Sequence, residues 1–342
     1  MNHSFRLFGV FDGHLGNRAS NFLTRYLPHL FESYLNEKEN KSSGNFEINS
    51  SSTLINDDWI NSRLISYGNH IIDRSLGNIL RSKEAIQSLH NAFVFSNIEF
   101  ISRSHDQETS GSTATIAILL GPEAAEAQPY PYPVSFTSHP SYKYLLIGHV
   151  GDSRAVLCCK SYQHGEAIPL TVDHTPLVPV ERTRVVELGG FIESTKSIPR
   201  VNGQLAVTRS IGDKKLRKYL SSIPDLILLK LEKEIFDEAD QISSNKYENI
   251  CSKYFNLRNI NKSNKYINKF LILASDGLWD VISNQEAVNF TCKYLLNSLL
   301  RNEDSNNVLP TEAFHFAAKA LAVEAFVRGS SDNIGVCIID II

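Results

Sequence analysis

Short apolar runs broken by polar stretches set the pattern of this sequence, and three of the runs have the length of buried strands. They cover residues 5–11, 270–274 and 334–342. The first two lead into an Asp-Gly pair, which is a turn signal, and the third follows an acidic residue. The acids are Asp12, Asp276 and Asp332. A single Asp-Gly pair can be a turn and no more, but the repetition favours three carboxylates that meet in one polar cleft.

Helical periodicity fills much of the sequence between these runs. Apolar residues recur at helical spacing over residues 22–34, 86–100 and 288–299, which predicts amphipathic helices. Ser283 and Glu286 form a capping box that opens the third of these helices, and one more helix is predicted before the C-terminal strand. Strands clustered in the sequence, with paired helices between and after them, indicate an α+β domain.

Three stretches interrupt this pattern and are predicted to be surface insertions. Residues 36–58 and 241–269 are rich in Asn, Ser and Lys, a composition that buries too little apolar surface to offset the entropy of ordering. Residues 121–142 carry the run Pro-Tyr-Pro-Tyr-Pro. This stretch is either a docking peptide or the extension of a hairpin, and the hairpin extension is the commoner case.

The composition is that of an ordinary globular protein. The chain has 342 residues, 42% of them hydrophobic, and a net charge of −3, which gives no reason to expect a nucleic-acid partner. Five cysteines without metal or disulfide spacing fit a reducing compartment. No apolar run approaches the roughly 18 residues that a membrane span needs, and the N-terminus does not read as a signal peptide. We expect a cytoplasmic or nuclear monomer.

The chemistry of the three acids indicates which ion they would bind. Carboxylate oxygens without a neighbouring Cys/His cluster are hard ligands, and they favour Mg²⁺ or Mn²⁺ over zinc. The sequence therefore predicts a binuclear metal site. His14 directly follows the first Asp-Gly pair and is either a polar loop residue or part of the same site.

These segments and several others occur in the order found in one protein family. The chain resembles the type 2C metal-dependent Ser/Thr protein phosphatases, the PPM family, and the resemblance covers nearly the whole chain. The matching segments are Phe8-Gly-Val-Phe-Asp-Gly-His14, Gly111-Ser-Thr-Ala114, Val150-Gly-Asp-Ser-Arg-Ala-Val156, Leu170-Thr-Val-Asp-His-Thr-Pro176, residues 201–213, residues 271–280 and Ser331-Asp-Asn333.

The resemblance implies one catalytic domain over residues 1–342. Its fold would be a central antiparallel β-sandwich flanked on both sides by helix pairs, with a binuclear metal cleft at one end. A flap subdomain, which is associated with substrate choice, would occupy about residues 177–201. The helix expected over residues 179–188 closes at Gly189 and Gly190, a typical C-terminal cap.

The resemblance also implies a role for each site residue. Asp12 would bridge two Mg²⁺ or Mn²⁺ ions, the Gly13 carbonyl would bind one of them, and Asp276 and Asp332 would hold the other. Asp152 would share a weaker third ion with Asp276, although Asp152 can equally be a turn residue. His14 would be the general acid for phosphoprotein substrates, which are hydrolysed by attack of a metal-bridging water. The substrate-binding residues stay unknown.

One part of the family pattern has no counterpart here. Members carry a strand with a phosphate-binding Arg and a metal-binding Glu before the Asp-Gly-His segment, whereas this chain begins almost at that segment. Arg6 lies inside the motif strand and cannot be that arginine. The alternative to an active phosphatase is therefore a catalytically impaired, phosphatase-like binding or regulatory protein. Retention of His14 and the three acids favours the enzyme.

Two further groups of residues have an open assignment. His174, beside Asp173, is more often half of a structural hydrogen-bonded pair than a catalyst. The basic residues of the flap are either contacts for phosphoproteins or solvated charges. They are Arg182, Arg184, Lys196 and Arg200. Asp213 is expected to be structural.

Overall fold

Two four-stranded antiparallel sheets lie at the centre of the structure. The computed structural model describes residues 5–40, 80–121, 144–159, 165–194, 198–231, 270–302 and 310–341. The strands are β1 (Phe5–Val10), β2 (Gly13–His14), β3 (Gly111–Ser112), β4 (Ala114–Leu120), β5 (Tyr144–Val150), β6 (Arg154–Cys159), β7 (Glu166–Pro169), β8 (Ile192–Glu193), β9 (Arg200–Val201), β10 (Ile211–Gly212), β11 (Asp225–Lys230), β12 (Phe270–Ala274) and β13 (Val336–Asp340). The helices are α1 (Arg18–Asn40), α2 (Leu80–Arg103), α3 (Pro179–Glu187), α4 (Asp276–Trp279), α5 (Asn284–Asn302) and α6 (Pro310–Val327).

The first sheet has the strand order β1-β4-β5-β11, and the second has the order β13-β12-β6-β7. Strand β4 shows why a strand in the middle of the sandwich is a nearly continuous apolar run in the sequence. Successive side chains of a strand point to opposite faces. Ile116 and Ile118 belong to the core on the helical side, whereas Ala117 and Leu119 belong to the core between the sheets. Both faces of β4 are buried, so nearly all of its positions are apolar, and its one polar side chain, that of Thr115, is hydrogen-bonded to His149 Nδ1 at 2.9 Å.

Helix pairs cover the outer faces of both sheets. Helices α1 and α2 pack on the first sheet through a core that includes Leu27, Phe31 and Phe93. Helices α5 and α6 pack on the second sheet through residues such as Cys292 and Leu321. This arrangement confirms the predicted α+β sandwich with flanking helix pairs. Among the described residues, no helix is both long and apolar enough to cross a membrane.

The structure corrects the start of the first predicted insertion, whereas most of the three insertions lies outside the described residues. The first insertion was predicted from residue 36, but α1 continues to Asn40, because the Glu and Lys residues in its last turns are good helix formers. Residues 41–79, 122–143 and 232–269 are not described, so the rest of the three predicted insertions lies outside the description.

The flap helix ends as its sequence predicts. Helix α3 stops at Glu187, and Gly189 follows with a φ of +84°, a conformation that favours glycine. The backbone N–H of Gly190 donates to the carbonyl of Val185, which satisfies one of the last helical acceptors. Strands β8 and β9 then form a short antiparallel ladder within the predicted flap.

The core between helices and sheet gives a stability prediction. Phe93 is fully buried in the first helical core, so Phe93→Ala should lower the free energy of unfolding by about 3–5 kcal/mol. The matched control is Phe326→Ala, because Phe326 is 71% exposed and its loss should change that free energy by about 0.5 kcal/mol or less. Urea denaturation of both variants measures the difference. Equal losses of unfolding free energy in the two variants would show that the burial of Phe93 does not determine stability.

Candidate active site

The strand topology brings the predicted acids to one edge of the sandwich. In the first sheet β1 and β5 run in the same direction, because both pair antiparallel with β4, so Asp12 and Asp152 follow strand ends at the same edge. In the second sheet β12 ends where its partners β6 and β13 begin. Asp276 follows β12 and Asp332 precedes β13. The turn from β5 to β6 joins the two sheets at this same edge.

The electrostatics of these carboxylates reflect how close they lie to one another. Burial, followed by the proximity of Asp276, Asp332 and Asp152, raises the pKa of Asp12 to about 8. Burial, followed by the charge of Asp276, raises the pKa of Asp152 to about 7. Carboxylates that share a partly buried site repel one another, which favours their protonated forms. Within the described residues, the cleft therefore has too little positive charge to offset these carboxylates.

The donor set of this cleft fits a hard metal ion. One carboxylate oxygen of Asp276, Oδ1, is buried without a hydrogen-bond partner among the described residues. An acceptor left unpaired in this way is costly unless a cation or proton satisfies it. The described residues contain no group of three His, Cys, Asp or Glu side chains that is already arranged to hold a metal ion. The chemistry of the oxygens therefore favours Mg²⁺ or Mn²⁺, whereas the two-ion arrangement stays a prediction.

Thr113 ties the Asp12 segment to the Asp152 turn. The backbone N–H of Asp12 donates to Thr113 Oγ1 at 3.1 Å, and the Thr113 N–H donates back to the Asp12 carbonyl at 2.9 Å. The Thr113 hydroxyl also bonds the Ser153 hydroxyl at 2.8 Å. Gly151, with a φ of +103°, packs so closely that a Cβ would lie 2.5 Å from the Thr113 side chain. The two acids are therefore positioned through one threonine.

A second set of contacts ties Asp276 to the loop that carries Asp332. Ser275 Oγ donates to the Asn333 carbonyl at 2.8 Å and accepts from the Gly335 N–H at 2.9 Å. A Cβ on Gly277 would meet the same carbonyl at 2.4 Å, so the chain can approach this closely only with glycine. Both acids are positioned by backbone contacts between the end of β12 and the start of β13.

His14 lies beside these acids and is bound by a carboxylate. Its Nε2 lies 2.8 Å and 3.0 Å from the two carboxylate oxygens of Asp213. The charge of His14 lowers the pKa of Asp152, although burial and the charge of Asp276 outweigh this effect. The sequence alone indicated a structural role for Asp213 and did not reveal that it contacts His14.

Asp280 is a second residue that the sequence reasoning missed. Burial, followed by the charge of Asp276, raises its pKa, and Asp332 adds to the effect. The signal was present in the spacing, because residues four apart on a helical turn share a face. Asp276 begins helix α4 and Asp280 caps its end. The acidic cleft thus extends by one carboxylate.

The structure assigns His174 to the scaffold. Its Nδ1 accepts the Gly151 N–H at 3.2 Å, and its Nε2 lies 3.1 Å from Asp225 Oδ2. Neighbouring Asp173 instead binds Arg154 through two hydrogen bonds of 2.7 Å. Burial lowers the pKa of His174, so the ring is kept neutral. Both ring nitrogens are occupied, which confirms the structural reading.

The basic residues of the predicted flap differ in whether the scaffold already binds them. Arg184 binds Glu181 and donates to the carbonyls of Thr208 and Tyr219, so it holds the flap helix against the sandwich. Arg182 is exposed. Lys196 lies outside the described residues. Of the predicted phosphoprotein contacts, Arg184 is therefore already used by the scaffold.

Comparison with known proteins identifies the group to which the chain is similar. The family model described as Protein phosphatase 2C matches residues 1–334. The chain is 30% identical over 334 residues to "Probable protein phosphatase 2C 39" of Arabidopsis thaliana, which covers 97% of the chain and 74% of that protein. It is 29% identical over 333 residues to "Protein phosphatase 1L" of Bos taurus and spans 63% of that protein's length.

Solved structures show the same fold. A serine-threonine phosphatase 2C from Toxoplasma gondii matches with a TM-score of 0.56 at 19% identity, over 98% of the chain and 84% of that structure. A C. elegans sex determining protein matches with a TM-score of 0.57 at 20% identity, over 99% of the chain and 57% of that structure. At this level of identity the likeness concerns the fold alone.

The raised carboxyl pKa values predict how the metal-free protein responds to pH. Between about pH 4 and pH 8 the folded protein holds protons on Asp12 and Asp152 that the unfolded chain has released. The stability that these protons provide is fully present below about pH 4, falls progressively as pH rises and is lost once pH has passed the folded-state pKa values of about 7 and 8. In EDTA, the thermal midpoint measured by circular dichroism should fall between pH 6 and pH 9.

Two variants separate this effect from other titrations. Asp12→Asn should flatten the slope and raise the midpoint at pH 9, because the amide carries no charge. Glu32→Gln, at an exposed position on α1, is the matched control and should keep the wild-type slope. Adding Mn²⁺ should raise the wild-type midpoint most at high pH, since ligand binding stabilises the folded state. A wild-type slope in Asp12→Asn would show that Asp12 is not the titrating group.

Proposed function

The chain belongs to the protein phosphatase 2C family, a family of phosphoprotein phosphatases, and from this membership and its acidic cleft we propose that it hydrolyses phosphoserine and phosphothreonine monoesters with Mg²⁺ or Mn²⁺ as cofactor. The observation that carries the proposal is the meeting of Asp12, Asp152, Asp276 and Asp332 at one edge of the sandwich. A buried, unpaired oxygen of Asp276 lies in that group.

The reaction explains why such a group of acids is useful. A phosphate monoester is a dianion with an unreactive bond, so hydrolysis requires a strong nucleophile and neutralisation of charge. When bound, Mg²⁺ or Mn²⁺ supplies both, because it acidifies water and attracts the phosphoryl oxygens. Asp12, Asp276 and Asp332 would hold the cofactor, with Asp152 and the Gly13 carbonyl as further ligands.

His14 is the residue of this chain that would move a proton. The leaving oxygen of serine or threonine is strongly basic and departs more easily when it is protonated. An imidazole suits this task near neutral pH. His14 is partly exposed beside the acids, whereas His174 is buried with both nitrogens bonded. We therefore assign the general acid to His14.

A specific observation supports a second candidate, a catalytically impaired, phosphatase-like protein that binds or regulates its partners. Arg154 lies near enough to Asp280 for its positive charge to oppose the rise in the pKa of that carboxylate. Asp173, however, already binds Arg154 through two hydrogen bonds. Arg209 is likewise bound by Glu181 and Asp225. These two arginines are therefore occupied and are not ready to receive a phosphate.

Release of inorganic phosphate from a phosphothreonine peptide tests the first proposal. The wild-type chain should release phosphate with Mn²⁺ or Mg²⁺ and stop in EDTA. Asp276→Ala and Asp332→Ala should each lower kcat/KM by at least about 10²-fold, the scale on which loss of a catalytic group acts. Asp106→Ala is the matched control, because that carboxylate is fully exposed and lies in a surface pair with Lys214.

The two candidates give different results in this experiment. Turnover that survives in EDTA contradicts metal dependence, and wild-type turnover in Asp276→Ala contradicts the ligand assignment. Phosphopeptide binding without turnover, measured by calorimetry in Mn²⁺, supports the second candidate. Thermal unfolding of each variant verifies that a loss of activity is not a loss of fold.

A different prediction concerns His14. His14→Gln should lower kcat about 10²- to 10⁴-fold for phosphoserine peptides, because their leaving group needs a proton. Aryl phosphates leave as stable phenolates, so their hydrolysis should fall much less. Mn²⁺ affinity should stay near that of wild type. Equal losses on both substrates, or a loss of metal binding, would place His14 among the ligands or in the scaffold.

A further inference from the structure

We propose that Asp213 is a positioning residue for His14, holding Nε2 of the ring so that Nδ1 faces the substrate. The inference rests on the proposed function for its catalytic consequence, but its structural part can be tested without turnover. Asp213 is 199 residues from His14 in the sequence, and nothing in the spacing of the motifs links them.

The contact has the geometry of an orienting pair. Both carboxylate oxygens of Asp213 lie within 3.0 Å of His14 Nε2. The Asp213 side chain is 2% exposed and that of His14 is 25% exposed, so the carboxylate lies behind the ring and the ring faces the cleft. Ser210 Oγ donates to Asp213 Oδ2 at 2.6 Å, which fixes the carboxylate in turn. Among the described residues, Nδ1 of His14 has no hydrogen-bond partner.

A small three-stranded sheet keeps the two residues together. Strands β2, β3 and β10 pair in the order β10-β3-β2, so His14 lies opposite Gly111, and Gly111 lies opposite Gly212. A Cβ on Gly111 would lie 2.0 Å from Asp213 Oδ2 and 2.3 Å from His14 Nε2. The hydrogen bond therefore passes through the space that any other residue at position 111 would fill.

The backbone around Asp213 is held in an unusual conformation that directs its side chain. Asp213 has a φ of +49°, a region that non-glycine residues rarely adopt. Its N–H donates to the Ser110 carbonyl at 3.0 Å, and the Gly212 N–H donates to Asn97 Oδ1 at 2.9 Å. Strain of this kind persists only where surrounding bonds maintain it. Here those bonds direct a carboxylate at His14.

The pair determines which nitrogen of His14 can act. A carboxylate accepts a hydrogen bond, so the neutral ring carries its proton on Nε2, and Nδ1 takes the second proton. During the reaction water forms a bond to phosphorus, the bond from phosphorus to the leaving oxygen breaks, and that oxygen receives the proton of the Nδ1–H bond. The ring returns to its neutral form with Nε2–H still bonded to Asp213. Solvent then supplies the next proton to Nδ1.

Nitrogen-15 NMR of the His14 ring tests the structural part. In the wild-type protein the neutral ring should carry its proton on Nε2. Asp213→Asn should lose this preference, since an amide can either donate or accept. Ser210→Ala should weaken the preference and keeps the fold testable if Asp213→Asn does not fold. Ser88→Ala, which removes a buried serine hydroxyl that has no hydrogen-bond partner within the described part of the chain, is its control. A neutral wild-type ring protonated on Nδ1 overturns the proposal, whether or not the protein hydrolyses phosphate.

Steady-state kinetics tests the catalytic part. Asp213→Asn should lower kcat about 10²-fold for a phosphoserine peptide and less than about tenfold for an aryl phosphate, with little change in KM. Combined with His14→Gln it should cause no further loss, because residues that act as a unit are not additive. Asp225→Asn is the matched control. It breaks the other buried His–Asp pair and should lower the thermal midpoint, while the ratio of kcat values for the two substrates stays as in wild type.

The outcomes separate this inference from the proposed function. Equal losses on both substrates in Asp213→Asn, or additive losses in the double variant, would assign Asp213 to the scaffold. Failure of the wild-type protein to turn over any phosphopeptide contradicts the proposed function alone. In that case the NMR result still decides whether Asp213 orients His14.

Discussion

The repulsion between carboxylates at one edge of the sandwich is the constraint on which the rest of the structure depends. Burial and the proximity of Asp276 raise the pKa of Asp12 to about 8 and that of Asp152 to about 7. Such a group lowers the stability of the metal-free protein at neutral pH. The surrounding structure must therefore hold it together, and the strongest contacts near the site serve that purpose.

Those contacts run mainly through the backbone. Thr113 links the segments of Asp12 and Asp152, and Ser275 links the segments of Asp276 and Asp332. Glycines at close approaches, such as Gly151 and Gly277, let the strand ends come nearer than side chains would allow. These contacts leave Asp276 Oδ1 without a hydrogen-bond partner among the described residues, so that it can bind a cation, which is the use that its chemistry favours.

The sequence predicted the parts of this arrangement that depend on local pattern. The apolar runs with their acids pointed to Asp12, Asp276 and Asp332, which the strand topology brings to one edge of the sandwich, and pattern alone reached the α+β class. The sandwich and its helix pairs came from the family resemblance, because period-two and helical patterns do not reveal which sheets pack together. Contacts between polar side chains distant in sequence were beyond either source. The bond from Asp213 to His14 and the use of Arg184 by the scaffold appear only once the chain is folded.

The two histidines show how the fold, rather than the residue type, decides reactivity. Each has an aspartate on Nε2, Asp213 for His14 and Asp225 for His174. His174 is almost fully buried, and its Nδ1 is occupied by the Gly151 N–H, so it has no nitrogen with which to exchange a proton. His14 is bonded through Nε2 and its side chain is 25% exposed. The same pair of residue types therefore fixes a turn in one place, whereas in the other it leaves one nitrogen without a partner among the described residues, the nitrogen that we propose delivers a proton.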